Sequence, residues 1–68
     1  MPTDSIVFLS IHDVCERTRL ARSTIYSKIS KGEFPAPVKL SERASAWVES
    51  EIQEWAKQKI SESRGKDA

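Results

Sequence analysis

This sequence is short of nearly everything that a catalytic, metal-bound or membrane protein needs. It has one cysteine, one histidine and two glycines in 68 residues. A single cysteine, Cys15, excludes an intrachain disulfide, which suits a reducing cytoplasm. No stretch approaches the roughly 20 apolar residues that cross a bilayer, and no basic-then-apolar signal opens the sequence. A small, cytoplasmic protein without a membrane partner is therefore expected. No glycine-rich phosphate loop appears, no paired acids suggest a cleft, and His12 has no evident nucleophile, so no enzyme is expected. His12 and Cys15 lie three apart and can share a helical face. Two ligands do not make a zinc site, however, and neither metal nor cofactor is expected. A chain of this length is one domain at most and buries only about 60% of its unfolded surface, so its core must be small and well used.

What is present is an uneven distribution of charge. The net charge is only +1, but residues 1–16 carry three acidic groups and no basic one. Residues 17–43 carry seven basic groups (Arg17, Arg19, Arg22, Lys28, Lys31, Lys39, Arg43) against Glu33 and Glu42, a local +5. Residues 44–68 carry four basic and five acidic groups. Such charges can be simply solvated, but their concentration in the middle third favours a surface that faces a polyanion.

Local signals lay out the elements. Ile6 to Leu9 is a short apolar run, either a small strand or an arm lying on the core. Ser10 with Asp13 three residues on forms a variant capping box, and Leu9 with Val14 fits a hydrophobic staple. A first helix over about Ile11–Thr18 follows, burying Ile11, Val14 and Cys15. The connection Arg19–Leu20–Ala21 is short, so the next helix turns sharply, with Leu20 between the two. A second helix runs from about Arg22 to Lys31 and stops at Gly32. Ile25 and Ile29, four apart, form its inner stripe, while Arg22, Ser23, Thr24, Ser27, Lys28 and Lys31 occupy other positions. Pro35 and Pro37 enforce an extended path. Val38–Leu40 and Ala46–Val48 read as two strands joined by a loop over residues 41–45. Ser50 with Gln53 reads as the cap of a third helix of about ten residues, whose inward stripe is Ile52, Trp55, Ala56 and Ile60. From Ser61 the sequence is polar and expected to fray.

The expected fold is mainly α with a small β-hairpin, a winged helix-turn-helix over residues 6–62 with flexible termini at 1–5 and 63–68. Its second helix would lie in the major groove of double-stranded DNA, and its hairpin wing would lie on the backbone.

Three stretches carry a resemblance: FLSIHDVCERT, RSTIYSKISKGEFPAPVKL and RASAWVESEIQEWAKQK, which together span about residues 8–59. The most specific pieces are RSTIY, GEFPAPVKL and the W-x-x-S-E-[IV]-x-x-W pattern from Trp47 to Trp55. In these the chain resembles the AlpA-type prophage transcriptional regulators, relatives of excisionases and MerR-like DNA-binding domains. The resemblance implies a winged helix-turn-helix that binds phage DNA, activating an excision-related gene or directing excision itself. Three positions depart from the pattern. Arg19 stands where glycine is frequent and must accept a less favourable φ, or the turn is built differently. Ala21 stands where serine is usual, removing a cap that Ser23 could replace one turn later. Ser41 and Glu42 stand at a wing tip that often carries glycine or proline.

The candidate DNA contacts follow. Arg22 can grip guanine or a phosphate with two bonds. Ser23 and Thr24 suit either a helix cap or a base or phosphate contact, and Ser27 and Lys28 share Thr24's face. The Tyr26 ring can pack on the wing while its hydroxyl reaches a phosphate. Lys28 and Lys31 also suit the negative end of the helix dipole. Lys39 and Arg43 belong to the wing and read as phosphate contacts or solvated charges. Trp47 and Trp55 read as core. The expected partners are double-stranded DNA, a second copy on an adjacent half-site and, if the role is excision, phage integrase, with the protein associated with the nucleoid. The rival readings are a recombination directionality factor that bends attachment-site DNA, and a protein-interaction module that does not bind DNA.

Overall fold

Ser10 opens the first helix as its spacing predicts. In the computed structural model, which describes residues 5–65, the Ser10 hydroxyl accepts the Asp13 N–H at 3.1 Å. The Asp13 carboxylate accepts the Ser10 N–H at 3.2 Å. This reciprocal pair satisfies two backbone donors and starts α1 (Ile11–Thr18). Leu9 and Val14 are both buried beside the cap.

The turn out of α1 is built by two residues. Arg19 is left-handed (φ 62°, ψ 23°), and its N–H donates to the Cys15 carbonyl at 2.8 Å. Thr18 was not singled out by its sequence position, yet it organises the same turn. Its hydroxyl donates to the Val14 carbonyl at 2.8 Å and accepts the Leu20 N–H at 3.3 Å. The less favourable φ expected of Arg19 is thus the one observed. The chain then enters α2 (Arg22–Ser30) from Ala21, where no side chain caps the helix. Ser23 does not take over that role: the helix already begins at Arg22, so no first turn is lost. At the far end Gly32 adopts φ 75°, the Gly32 N–H reaches the Ile29 carbonyl, and the Glu33 N–H reaches the Lys28 carbonyl. These paired bonds are the Schellman closure that glycine permits.

The apolar run at the start becomes a strand, β1 (Phe8–Leu9), which pairs antiparallel with β3 (Ala44–Val48); β2 (Val38–Ser41) pairs with the other side of β3. The order is β1-β3-β2. The hairpin loop is shorter than the sequence suggests, because pairing of Ser41 with Ala44 leaves only Glu42 and Arg43 in the turn. Neither has a positive φ. The turn is therefore not one of the mirror-image types whose twist suits a two-residue loop. A register irregularity between Lys39 and Ser41 accompanies it and leaves Leu40 exposed.

The third helix differs most from expectation. It runs Glu49–Gly65, 17 residues rather than about ten. Ser50 lies inside it and forms no capping box with Gln53. The helix starts two residues earlier, at Glu49, whose N–H is satisfied by the Val7 carbonyl at 2.9 Å, a bond from a segment distant in sequence. Ile52 is buried and Trp55 and Ala56 are half-buried as expected, but Ile60 is 51% exposed. By that point α3 has run past the body of the domain. Of the expected flexible termini, residues 1–4 and 66–68 lie outside the described residues, and residues 63–65 continue the helix.

Leu9, Val14, Ile25, Phe34, Trp47 and Ile52 form the core, flanked by Ile11, Cys15, Leu20, Ile29 and Trp55. Both tryptophans also act as donors. The Trp47 Nε1–H reaches the Pro35 carbonyl and the Trp55 Nε1–H the Glu33 carbonyl, each at 3.0 Å. Phe34 sits edge-on to Trp55, with ring centroids 4.7 Å apart. The extended segment after α2 is thereby held by two indoles and one ring contact. The architecture is a winged helix-turn-helix: α1, tight turn, α2, hairpin, α3.

Candidate nucleic-acid interface

Ile25 fixes the orientation of α2. Its side chain is fully buried (0%), and Ile29 one turn on is half-buried. With those two turned inward, Arg22, Ser23, Thr24, Ser27 and Lys31 are exposed and Lys28 is half-buried on the flank. Ser23, Ser27 and Ser30 follow at spacings of four and three, so they share one outward line, and Lys31 adds charge beside it. The Ser30 hydroxyl is turned back onto the Ser27 carbonyl at 3.0 Å, whereas no side-chain hydrogen bond within the described residues occupies Ser23, Thr24 or Ser27. Tyr26 is 47% exposed, with its ring tilted against Trp47 at a centroid distance of 6.2 Å. It packs on β3 through one face and leaves the rest of the side chain in solvent.

Lys39 lies on β2 opposite Ser45, and Arg43 lies in the turn; both are exposed. The structure therefore leaves all nine candidate residues accessible to some degree, on α2 and its cap and on the wing.

The ion pairs decide which of the middle-third charges are available. Among the described residues two ion pairs form, Arg17 with Glu49 and Lys59 with Glu62, and the His12 Nε2 lies 3.3 Å from the Glu16 carboxylate. Arg17, counted with the basic third of the sequence, is thus committed internally at 2.9 Å, tying α1 to the start of α3. Arg19, Arg22, Lys28, Lys31, Lys39 and Arg43 have no carboxylate partner among the described residues. Six unpaired cations thus gather on the turn, α2 and the wing against one acidic group, Glu42 in the wing turn, whereas on α3 only Lys57 and Arg64 are unpaired among those described.

A cleft of about 740 Å³ between the Gly32–Pro35 segment and α3 has the opposite character. Glu33, Glu51 and Glu54 line it, and its one cation, Lys59, already holds Glu62. A polyanion is repelled there. No group of three or more potential metal ligands occurs among the described residues, and His12 is engaged with Glu16 rather than with Cys15. No described helix is long and apolar enough to cross a membrane.

The model of the family described as prophage CP4-57 regulatory protein (AlpA) matches residues 7–60, which is β1 through the exposed turn of α3 at Ile60. The chain belongs to the AlpA family. It is also 44% identical over 62 residues to an uncharacterized protein, ORF88, of Enterobacteria phage P4, covering 90% of this chain and 70% of the relative. No solved structure matches the chain. The matched span contains every candidate contact from Arg22 to Arg43. The AlpA assignment makes this a prophage-associated regulatory protein and agrees with the resemblance carried by RSTIY, GEFPAPVKL and the Trp47–Trp55 pattern.

Proposed function

We propose that the protein is a sequence-specific DNA-binding transcriptional regulator of a prophage or similar mobile element, with α2 in the major groove and the β2–β3 wing on the backbone. The observation that supports this reading best is the cluster of five basic side chains on α2, its cap and the wing (Arg22, Lys28, Lys31, Lys39 and Arg43), none of them in an ion pair among the described residues. An unpartnered guanidinium beside exposed hydroxyls on a rigid helix can donate to base edges and to phosphate oxygens. Arg22, Ser23, Thr24 and Ser27 supply the groove contacts. Tyr26, Lys28, Lys31, Lys39 and Arg43 supply backbone contacts. The role needs no cofactor and no catalysis.

With about five phosphate contacts, log K falls against log salt with a slope near −4 to −5. Selection of bound genomic fragments followed by salt titration on the winner measures it, and a flat response overturns DNA binding. In the same assay Arg22→Ala costs about 1–3 kcal/mol and relaxes one base preference if Arg22 reads guanine; a uniform loss across sequences assigns it to the backbone instead. A promoter reporter run beside an excision assay separates gene activation from a directionality role, in which integrase is the partner.

A further inference from the structure

Arg19 is the one non-glycine residue among those described whose backbone is left-handed. That conformation crowds Cβ against the neighbouring carbonyl oxygen, and glycine adopts it without that penalty. The turn imposes it. The Arg19 N–H closes α1 on the Cys15 carbonyl, and the Thr18 hydroxyl bridges the Val14 carbonyl and the Leu20 N–H, so the backbone cannot relax here without undoing the α1–α2 connection.

Nothing among the described residues compensates for having an arginine at this point. Its side chain is exposed, and no carboxylate, hydrogen-bond acceptor or aromatic ring among the described residues engages it. Arg17, two residues earlier, shows what an internally useful arginine looks like in this fold: it holds Glu49 at 2.9 Å. A strained residue without an internal contact suggests that its contact is outside. Arg19 also stands three residues before Arg22, on the turn that leads into α2, so its charge joins the uncompensated group there.

Resting on the DNA-binding reading, we propose that Arg19 is an additional phosphate-binding residue, clamping the DNA backbone beside the groove that α2 enters. Its partner is a phosphodiester oxygen pair, which a planar guanidinium can grip with two bonds. A residue on the turn, off the helix that would read base edges, adds affinity without sequence preference.

The test compares wild type with Arg19→Gly, Arg19→Asn and Arg19→Lys by thermal unfolding and by salt titration on the selected duplex and on a scrambled one. Arg19→Gly is expected to melt higher, yet to bind both duplexes about 3- to 10-fold more weakly, with a salt slope shallower by about 0.9. Asparagine also tolerates the left-handed region, so Arg19→Asn gives the same binding readout if the glycine variant misfolds. Arg19→Lys keeps the wild-type slope. Wild type that binds, with Arg19→Gly and Arg19→Asn matching its affinity and slope, overturns the Arg19 assignment alone. A loss confined to the selected duplex also overturns it, by making Arg19 a base reader. Wild type with no salt-dependent affinity for either duplex overturns the DNA-binding reading itself, and the Arg19 proposal with it.

Discussion

Asp13 shows how much a single short-range spacing can fix. Its carboxyl is held below the ordinary value of 3.8, chiefly by the Ser10 backbone N–H and then by the Ser10 side chain, with smaller help from the charges of His12 and Arg17. Because the folded value is the lower one, ionised Asp13 stabilises the fold. That contribution is fully present above the unfolded value and is lost as pH falls through the folded one. Wild type should therefore lose more stability than Asp13→Asn between about pH 5 and pH 2, measured as the shift in urea midpoint. Equal pH dependence in the two proteins would contradict the capping box. Ser10, Asp13, Gly32 and the Ile25/Ile29 pair were all legible in the sequence, since each depends only on residues within one helical turn. Arg17 was not. Its charge looked available in the sequence and is spent on Glu49, 32 positions away, a pairing that no local pattern encodes.

At the scale of elements, α2 is closed at its far end but uncapped at its start, because Ala21 supplies no side-chain acceptor for its first turn. Ala21→Ser is expected to raise stability by about 1 kcal/mol, visible as an upward shift in melting temperature. No shift would mean that the turn geometry keeps the serine oxygen away from the Ser23 and Thr24 N–H groups. In α3 the amphipathic pattern correctly assigned Ile52 and wrongly assigned Ile60. Spacing places both on one stripe, but the domain ends before the stripe does. Ile52→Ala should cost about 2–5 kcal/mol and Ile60→Ala less than about 0.5 kcal/mol by denaturant titration. A large cost at Ile60 would show that the end of α3 is covered. The wing, too, was legible in outline but not in register. Two strands and a loop follow from Val38–Leu40 and Ala46–Val48, whereas the two-residue turn and the irregularity at Leu40 belong to the pairing of β2 with β3 across the hairpin.

For the whole molecule, the separation of charge matters more than its sum. Among the described residues, six unpaired cations gather on the turn, α2 and the wing, against two on α3 (Lys57 and Arg64), while Glu33, Glu51 and Glu54 line the cleft beside α3. One such domain would read only a few base pairs, so useful specificity calls for copies on half-sites about 10 bp apart or a multiple of that. Although α3 is longer than its sequence suggested, residues 57–65 offer one apolar side chain, Ile60, which is too little for a helical seam. The protein is therefore expected to be a monomer or weak dimer free in solution and to assemble mainly on DNA. Sedimentation at micromolar concentration tests this, and a tight dimer without DNA would overturn it.

The sequence alone determined the helix-turn-helix: the Ser10–Asp13 cap, the glycine stop at Gly32 and the Ile25/Ile29 stripe are short-range effects, set by backbone hydrogen bonding and helical periodicity. Tertiary structure alone decided where α3 begins, since the Glu49 N–H is satisfied by Val7 from the start of the chain, and where it leaves the core. It also decided which cations stay unpaired and how the tryptophans hold the Glu33–Pro35 segment. Those outcomes depend on which distant groups meet, because a charge or an orphan N–H is neutral to its position in sequence until the fold brings a partner within about 3 Å.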